Sequence, residues 1–373
     1  MNFSTPWLAI FLFLVFLPYT GLLIYLIIGI KKLQNLSPES STPFASIVVP
    51  LRNEGQHVKA TLNALLQQDY KGKFEIICVE DRSTDDTWEQ LCALAAEQEK
   101  ISLVRILSTE GSVTSPKKRA LDRGIAQSRG EIILTTDADC LPPPNWLSSM
   151  LSCLTPQTGI VQGPKHILSS SKIIDRYQSI EVFGLVCVEA ASFAWGKPLL
   201  ASAPSLAYRK SLFQEVQGFD GLMDLVSGDD DMLVHKMTAQ GRYGVAYNAN
   251  PQASVGTHPA HTWKEVLIQR SRWSSNGTRY PSLPYVLLLV GLYMFYLCLP
   301  ASLILTFCGA ITWHIALAFW LTKFTLDFTL LTLGAKKLGF KGLKDAWWAT
   351  LIHVPLVITA VPLGILGLYG WKK

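Results

Sequence analysis

The sequence has few charged residues for its length and lacks the common nucleotide-hydrolysis and nucleic-acid signatures. Asp, Glu, Lys and Arg make up 16% of the 373 residues, and the net charge is only +5. No Walker A pattern occurs, which argues against a nucleotidyl or phosphoryl transferase of the P-loop kind. No basic stripe is present either, so we expect no nucleic-acid partner.

Cysteine gives no sign of a metal centre. The seven cysteines form no CxxC pair and show no metal-ligand spacing. Most lie in apolar segments, so we expect reduced, buried thiols, as in a cytoplasmic domain. The segment HPAH at 258–261 carries two histidines, but Pro259 breaks any helical face that they could share, and we interpret it as a loop.

Apolar residues are abundant instead, at 49%, and they are concentrated at the two ends of the chain. Residues 6–30 carry no charge, and about 20 apolar residues suffice to cross a bilayer. Three later stretches have a similar character, at about 284–305, 309–333 and 346–370. The sequence therefore predicts an N-terminal membrane anchor, 1–32, and C-terminal membrane helices within 284–373.

Lysines set the expected orientation of these spans. Lys31 and Lys32 follow the first span, and the loop at 334–345 contains four more lysines. The positive-inside rule places both segments in the cytoplasm, as four crossings require. Lys372 and Lys373 would then lie outside, in mild conflict with the same rule.

The stretch 309–333 is the weakest candidate span because it contains Lys323 and Asp327. A charge at a helix centre costs about 2.5–3.5 kcal/mol. The i, i+4 spacing allows the two side chains to pair on one face. We interpret them as a structural ion pair facing the helix bundle, and a role in moving substrate is the alternative.

Between about 42 and 282, short β-rich runs alternate with helical patterns. This alternation predicts a mostly parallel, Rossmann-like α/β sheet with helices on both faces, which we assign to 42–256. The predicted strands are 44–51, 73–81, 101–107 and 130–139, and the helical patterns are 56–68, 84–98, 115–128 and 145–154. An amphipathic helix at the membrane surface is predicted within 257–283.

Acidic residues stand at the ends of three of the four predicted strands. Glu54 follows the first, Glu80 and Asp81 end the second, and Asp137 and Asp139 end the fourth. Ligands of open α/β sheets bind beyond the carboxyl ends of the strands. Hard divalent ions such as Mg²⁺ or Mn²⁺ take carboxylate oxygens and often share them with phosphates.

Asp137 and Asp139 are two residues apart, so on a strand they would share one face. We predict that they clamp a divalent metal for a diphosphate ligand. A solvated turn is the alternative for such a pair, and a charged surface turn is the alternative for Asp229–Asp231. The segment STDDT is expected to cap a helix, with Ser83 or Thr84 as the N-cap and two Asp in the first turn.

In their order along the chain these segments resemble a membrane-bound family-2 glycosyltransferase with a GT-A fold. That group includes the cellulose, hyaluronan, chitin and poly-N-acetylglucosamine synthases and ceramide glucosyltransferase. The resemblance covers residues 45 to about 280 and rests on SIVVPLRNEG, IICVEDRSTDDT, TTDADCLPPPNWL, SGDDDML and QRSRW, the last fitting QxxRW.

The resemblance implies a role for each matching residue. The nucleoside would be held by Asn53, Glu54 and Asp81, and Lys117 or Lys118 would lie near the diphosphate. Asp137 and Asp139 would bind the sugar diphosphate through Mg²⁺ or Mn²⁺. Asp230 would be the catalytic base, Arg272 would add positive charge at the leaving group, and Gln269, Arg272 and Trp273 would close over nucleotide and acceptor.

Two departures qualify the expected substrates. Glu80 and Arg82 replace the family's usual Asp and Gly, which makes recognition of uridine less certain than recognition of a nucleotide. The segment SAPSLAYRK lacks the Gly-Thr-Asn often seen at the acceptor end.

The resemblance implies inverting transfer of a sugar, expected from a UDP-sugar, to a polysaccharide or lipid-linked acceptor. The reaction would take place at the cytoplasmic face of a bacterial inner or plasma membrane, catalysed by a multi-pass protein in the lipid bilayer. The alternative from another class is a non-catalytic membrane scaffold with a degenerate transferase domain.

Overall fold

The computed structural model describes residues 6–34, 42–107, 115–168 and 171–370. The chain forms two compact units, and each is discontinuous in sequence. The helical unit comprises Met1–Lys31, Ser171–Cys187 and Ala260–Lys373, and the sheet unit comprises Lys32–Ser170 and Val188–Pro259. The domain limits expected along the chain stay predictions.

Within the described residues the sheet unit has ten strands in two sheets. They are β1 (Ala45–Leu51), β2 (Phe74–Asp81), β3 (Ile101–Ile106), β4 (Ile132–Thr135), β5 (Cys140–Leu141), β6 (Thr158–Gln162), β7 (Lys165–Ile167), β8 (Leu206–Arg209), β9 (Gly244–Tyr247) and β10 (Val255–Thr257). The large sheet has the order β3-β2-β1-β4-β8-β6-β9, and the small one β5-β10-β7. The β1, β2, β3 and β4 strands are parallel, while β8 is antiparallel to both of its neighbours.

The helices in the described residues follow the predicted alternation. They are α1 (Pro6–Lys32), α2 (Val58–Leu66), α3 (Thr87–Glu97), α4 (Pro116–Gln127), α5 (Trp146–Leu151), α6 (Ile173–Ala194), α7 (Lys210–Glu215), α8 (Asp231–Thr238), α9 (Trp263–Ser274), α10 (Leu283–Phe307), α11 (Trp313–Leu338) and α12 (Ala346–Ile365). All four predicted strands and the four helices between and after them are confirmed. The mostly parallel α/β sheet is therefore confirmed as well.

Burial follows the position of each strand in the sheet. All of β2 is buried and β1 nearly so, because each is covered on both faces. The edge strand β3 is different, since Ser102 and Arg105 are exposed. Trp146 of α5 is fully buried, and its indole N–H donates to Ser205 Oγ at 2.9 Å.

The β4 strand is shorter than predicted. It ends at Thr135, where its pairing with β1 ends at Val48 and its pairing with β8 ends at Leu206. Beyond that point the backbone has no ladder partner, so it turns, and Cys140 N–H donates to the Asp137 carbonyl at 3.1 Å. Asp137 and Asp139 therefore lie in a turn after the strand, and the prediction that they share a strand face is wrong.

Among the residues that the structure describes, four helices are long and apolar enough to cross a membrane. They cover Leu14–Lys32, Leu283–Phe307, Trp313–Leu338 and Leu343–Ile365, close to the predicted spans. Lys372 and Lys373, which bear on the expected orientation, lie outside the described residues.

Lys323 and Asp327 pair as their spacing predicted, with Lys323 Nζ 2.7 Å from Asp327 Oδ2. Lys323 also donates to Tyr296 OH at 3.2 Å, and Tyr19 OH donates to Asp327 Oδ1 at 2.5 Å. Tyr296 OH in turn hydrogen-bonds with His353 Nδ1 at 3.1 Å. Each of the four candidate spans thus contributes to one buried polar network, which agrees with the structural interpretation of the ion pair.

Candidate active site

The loops after β1 and β2 are tied together by side-chain to backbone hydrogen bonds. Asn53 has a left-handed backbone, with φ of 56°, and its N–H donates to Ser83 Oγ at 3.0 Å. Asn53 Oδ1 accepts from Thr84 N–H at 2.8 Å, and Glu54 N–H donates to Thr87 Oγ1 at 2.9 Å. Asn tolerates this backbone better than most residues do, which accounts for its place at the turn. The structure thus brings Asn53 and Glu54 to the end of β2, as predicted.

Helix α3 starts later than the sequence suggests. Its N-cap is Asp86, and neither Ser83 nor Thr84 takes that position, so the predicted N-cap is wrong. The side chain that hydrogen-bonds to the start of the helix belongs to Asp85, one residue before the N-cap. Its Oδ1 accepts from Thr87 Oγ1 at 2.5 Å and from Thr87 N–H at 3.2 Å. Asp85 Oδ2 accepts from Gly55 N–H at 3.0 Å, so this acid is a structural link between the two loops.

The two acids at the end of β2 are surrounded by arginines. Glu80, which is fully buried, accepts from Arg105 Nε at 3.1 Å and from Ser83 N–H. Asp81 Oδ1 accepts from Arg82 Nε at 2.7 Å and from Arg119 Nη2 at 2.8 Å. The expectation that these acids add to a cation-seeking cleft is therefore wrong, because three guanidinium groups already neutralise them.

One oxygen of Asp81 stays available to a ligand. Asp81 is only 2% exposed, and its Oδ2 has no hydrogen-bond partner among the residues that the structure describes. A buried carboxylate oxygen without a partner costs free energy unless something donates to it. This geometry suits an N–H donor such as that of a nucleobase, the role predicted for Asp81.

Arg82 has the backbone of a glycine. Its φ is 56°, in the left-handed region that costs a side-chain-bearing residue roughly 1–2 kcal/mol. The family resemblance leads one to expect Gly at this position, and a positive φ is a conformation that Gly adopts readily. The ion pair with Asp81 offsets part of that cost.

The turn after β4 holds the candidate metal ligands. Ligand atoms of Asp137, Asp139 and Cys140 all lie within 4.8 Å of one another. Burial and the neighbouring Asp137 carboxylate raise the pKa of Asp139. Burial also raises the pKa of the Cys140 thiol, so it stays protonated. Two carboxylates and no thiolate form a hard donor set, which fits Mg²⁺ or Mn²⁺.

Lys117 is the cation nearest to these acids. Its Nζ lies 2.7 Å from Asp137 Oδ1 and 2.7 Å from Asp229 Oδ2. Burial lowers the pKa of Lys117, but the two carboxylates outweigh that effect and raise it above the ordinary value. Lys118 is excluded from this place, because its ammonium is buried and donates to the carbonyls of Leu225 and Ser227, both at 2.6 Å.

The three acids at 229–231 have different surroundings. Asp229 is buried against Lys117. Asp230 is the N-cap of α8, with Oδ1 accepting from Asp231 N–H at 2.8 Å and Oδ2 from Ala203 N–H at 3.1 Å. Burial, then the neighbouring Asp229 and Asp231, raise the pKa of Asp230. The segment is therefore not a solvated surface turn.

The QxxRW residues Gln269, Arg272 and Trp273 lie on α9 of the helical unit, as the sequence predicted. The helix begins after Thr262, whose hydroxyl accepts from Glu265 N–H at 3.2 Å. The roles expected for these three residues at the nucleotide stay predictions.

Two contributors escaped the sequence analysis. The contact of Asp229 with Lys117 has no signal in the spacing of the sequence. Arg119, which holds Asp81, lies in a helix with an ordinary amphipathic pattern. Both contacts join residues far apart in the chain, so only the folded sheet brings them together.

A mostly parallel α/β sheet with this acidic turn beside a lysine, together with four helices that could cross a membrane, is the combination that the GT-A resemblance leads one to expect. The chain belongs to the family-2 glycosyltransferases. Residues 132–361 match the Glycosyl transferase family group 2, and residues 46–215 match Glycosyl transferase family 2. The predicted family, fold and enzyme class are thereby confirmed.

Three curated relatives are similar at about the same level. The Probable glycosyltransferase YdaM of Bacillus subtilis is 26% identical over 65% of this chain and 57% of its own length. Glycosyltransferase AglE of Haloferax volcanii is 27% identical over 62% of this chain and 72% of its own length. Poly-beta-1,6-N-acetyl-D-glucosamine synthase of Staphylococcus epidermidis is 26% identical over 72% and 65%. The match spans less than two thirds of the first and third relatives.

A solved structure has the same fold over nearly the whole chain. The mannosyltransferase PcManGT from Pyrobaculum calidifontis, in complex with GDP-Man and Mn2+, covers 95% of this chain and 97% of its own. The TM-score is 0.64 at 19% identity, so the likeness is one of fold.

Proposed function

We propose that this protein transfers a sugar from a nucleoside-diphosphate sugar to a polysaccharide or lipid-linked acceptor, with inversion at the anomeric carbon. The observation that carries the proposal is an acidic cluster with one ammonium: Lys117 contacts Asp137 and Asp229, and Asp139 lies beside Asp137. One cation among three acids leaves a site that favours a divalent ion, and such ions share carboxylates with phosphates.

The donor would be held by residues with separate tasks. Asp81 Oδ2 would accept an N–H of the nucleobase, and the Asn53–Glu54 turn would line the nucleoside pocket. Asp137 and Asp139 would hold a divalent metal, and Lys117 would donate to the diphosphate. A bound Mg²⁺ or Mn²⁺ would supply Lewis-acid stabilisation of the leaving diphosphate. This ligand class is supported by the mannosyltransferase of the same fold, which was solved with GDP-Man and Mn2+, and by the similarity to a poly-beta-1,6-N-acetyl-D-glucosamine synthase.

Asp230 would be the general base. Its two oxygens are fixed by backbone N–H groups, one of them from Ala203 in the segment expected to face the acceptor. The hydroxyl of an acceptor is a poor nucleophile, so a fixed carboxylate that takes its proton raises the rate. Asp229 is the less suitable rival because it contacts Lys117. The acceptor oxygen would attack the anomeric carbon from the face opposite the diphosphate while Asp230 takes its proton. The new glycosidic bond forms as the bond to the diphosphate breaks, and the anomeric centre is inverted.

The decisive assay offers purified protein in lipid nanodiscs a panel of UDP-, GDP- and ADP-sugars with Mn²⁺. We expect release of one nucleoside diphosphate and a glycosylated product detected by mass spectrometry. If no donor binds by calorimetry and none is turned over, the transferase proposal is wrong and the scaffold alternative gains support.

We further propose that the catalytic domain and the 334–345 loop are cytoplasmic in a multi-pass protein. The support is the four candidate spans and the lysines in that loop. Cysteines introduced at Gly342 and at Gln98 should react with an impermeant maleimide only from the cytoplasmic side, in a variant whose exposed Cys92 and Cys308 are replaced by serine. Labelling of Gly342 from outside would contradict this topology.

A further inference from the structure

The QxxRW segment contains a second arginine that the proposed function does not use. Arg270 lies between Gln269 and Ser271, at a variable position of the pattern. Its side chain is only 7% exposed, although an arginine on a surface helix is usually solvated. A buried guanidinium requires an explanation, because removing it from water is costly unless each of its donors finds a partner.

The Arg270 side chain is fully engaged within the helical unit. Its Nε donates to both carboxylate oxygens of Glu181 at 3.0 Å, and its Nη2 donates to Glu181 Oε2 at 2.5 Å. Its Nη1 donates to Gln269 Oε1. Its guanidinium carbon lies 4.4 Å from the centre of the Trp273 ring. One guanidinium therefore contacts two of the three residues of the QxxRW pattern, and Glu181 holds it from α6.

These contacts restrict the side chains of Gln269 and Trp273. The hydrogen bond fixes the amide of Gln269, and a cation held over an indole face limits the rotation of Trp273. Glu181 is itself 7% exposed, so the pair is held in a low-dielectric surrounding where its geometry is strongly determined. A lysine at position 270 could keep the charge, but it lacks the planar guanidinium that contacts Glu181, Gln269 and Trp273 at once.

We propose that Arg270, held by Glu181, is a positioning residue that sets Gln269 and Trp273 in the orientation needed for transfer. The inference rests on the proposed function and on the role that the family resemblance implies for Gln269 and Trp273, which would close over nucleotide and acceptor. Arg270 itself would touch neither substrate.

The helical unit offers a matched control. Arg176 of α6 also forms an ion pair with a buried acid, Asp345, and its guanidinium lies over an indole, that of Trp348, at 5.9 Å. The chemistry resembles that of the Arg270 pair, but neither of these partners belongs to QxxRW. If Arg270 acts only through the stability of the fold, Arg176→Lys and Arg270→Lys should have similar effects.

The test is a double-mutant cycle on sugar transfer with Arg270→Lys, Trp273→Ala and the double variant. Each single change should lower turnover roughly 10- to 100-fold through misplacement of the reacting groups. The double variant should be no slower than the slower single variant, because both changes remove the same orientation. Arg176→Lys should keep turnover within about threefold of the parent, and its loss should add to that of Trp273→Ala.

Two further measurements are needed. Thermal unfolding of each variant reports its stability, and the turnover of the parent shows whether the protein transfers sugar at all. Arg270→Lys should unfold within a few degrees of Arg176→Lys while differing from it in turnover. Additive losses in the cycle, or equal turnover for the two Arg→Lys variants, would overturn the positioning role alone. An inactive parent would overturn the proposed function and the positioning role with it.

Discussion

Two acidic strand ends lie at the same edge of the large sheet in opposite electrostatic surroundings. At the end of β2, Glu80 and Asp81 are paired with Arg82, Arg105 and Arg119. At the end of β4, Asp137 contacts a single lysine, Lys117, which also contacts Asp229, and Asp139 lies beside Asp137.

The comparison teaches that the number of acids at a strand end does not define a cation site. The β2 end has more guanidinium groups than carboxylates, so it needs no further cation. Among the described residues, Asp81 Oδ2 has no hydrogen-bond partner and is the acceptor that a ligand could use. The β4 end has three carboxylates and one ammonium, and it raises the pKa of Asp139 through burial and Asp137. We therefore expect metal dependence to belong to β4 and nucleobase recognition to β2.

The largest expected effect is at the β4 end. Asp139→Asn, or removal of divalent ions by EDTA, should lower transfer on the order of 10³-fold, since Lewis-acid stabilisation of a leaving group is worth several kcal/mol. Added Mn²⁺ should restore sugar transfer by the EDTA-treated parent but should not restore transfer by Asp139→Asn. Steady-state release of nucleoside diphosphate measures both, and full activity in EDTA would remove the contrast between the two strand ends.

The next effect separates Asp229 from Asp230, the two adjacent acids just before α8. Asp230→Asn should bind donor about as well as the parent while turnover falls by roughly 10²-fold or more, because a base acts in the chemical step. Asp229→Asn should instead leave the chemical step nearly unchanged and alter donor binding, because Asp229 contacts the lysine proposed to hold the diphosphate. Calorimetry and product release on both variants decide between them, and the opposite pattern would assign the base to Asp229.

The same assignment predicts a pH dependence. Burial and its acidic neighbours raise the pKa of Asp230, so the base is protonated, and inactive, up to a higher pH than an ordinary aspartate. Transfer should therefore rise with pH through an acidic limb above about 3.9, the unperturbed aspartate value. A rate profile at saturating donor should show this limb in the parent and lack it in Asp230→Asn.

A smaller effect is expected at the shared lysine. Lys117→Met should weaken the binding of a nucleoside diphosphate roughly tenfold, the loss of one charge-assisted hydrogen bond. Binding of the nucleoside without its phosphates should not change. Lys210→Met is a suitable control, because Lys210 donates to the Ser128 carbonyl and not to the acidic cluster. Equal losses for nucleoside and diphosphate would contradict the placement of Lys117 at the phosphates.

The smallest effect concerns the strained turn after β2. The left-handed backbone should favour Arg82→Gly over Arg82→Ala by about 1–2 kcal/mol in the free energy of unfolding, because glycine adopts this conformation without steric cost. The larger conformational entropy that glycine loses on folding offsets part of this difference. Both variants lose the same ion pair, so the comparison isolates the backbone. Chemical denaturation of the two variants measures it, and equal stability would show that φ at position 82 relaxes.

The sequence was most informative where structure is local. The β1 and β2 strands were predictable because apolar runs such as Ile47–Val49 are bounded by turn residues and followed by helical patterns. The end of β4 was misjudged because it depends on where β1 and β8 stop pairing with it, which involves residues over 70 positions away. The antiparallel β8 and the small sheet of β5, β7 and β10 are short and non-local, and no pattern in the sequence indicates them.

The site was predictable in composition but not in pairing. The acids Asp137, Asp139 and Asp230 stand out in the sequence, whereas the choice between Lys117 and Lys118 depends on which ammonium reaches the carbonyls of Leu225 and Ser227. Glu80 is a structural acid because it accepts from Arg105 and from Ser83 N–H, and the Arg105 contact forms only in the folded sheet.

The most direct test of the contrast between the two strand ends is Mn²⁺ binding in the presence of inorganic pyrophosphate, followed by electron paramagnetic resonance. Pyrophosphate carries no base, so only the metal and phosphate part of the site is measured. The parent and Asp81→Asn should both bind the Mn²⁺–pyrophosphate complex, whereas Asp139→Asn should leave the spectrum as it is without protein. Binding by Asp139→Asn equal to that of the parent, or loss of binding in Asp81→Asn, would contradict the assignment of the metal to β4.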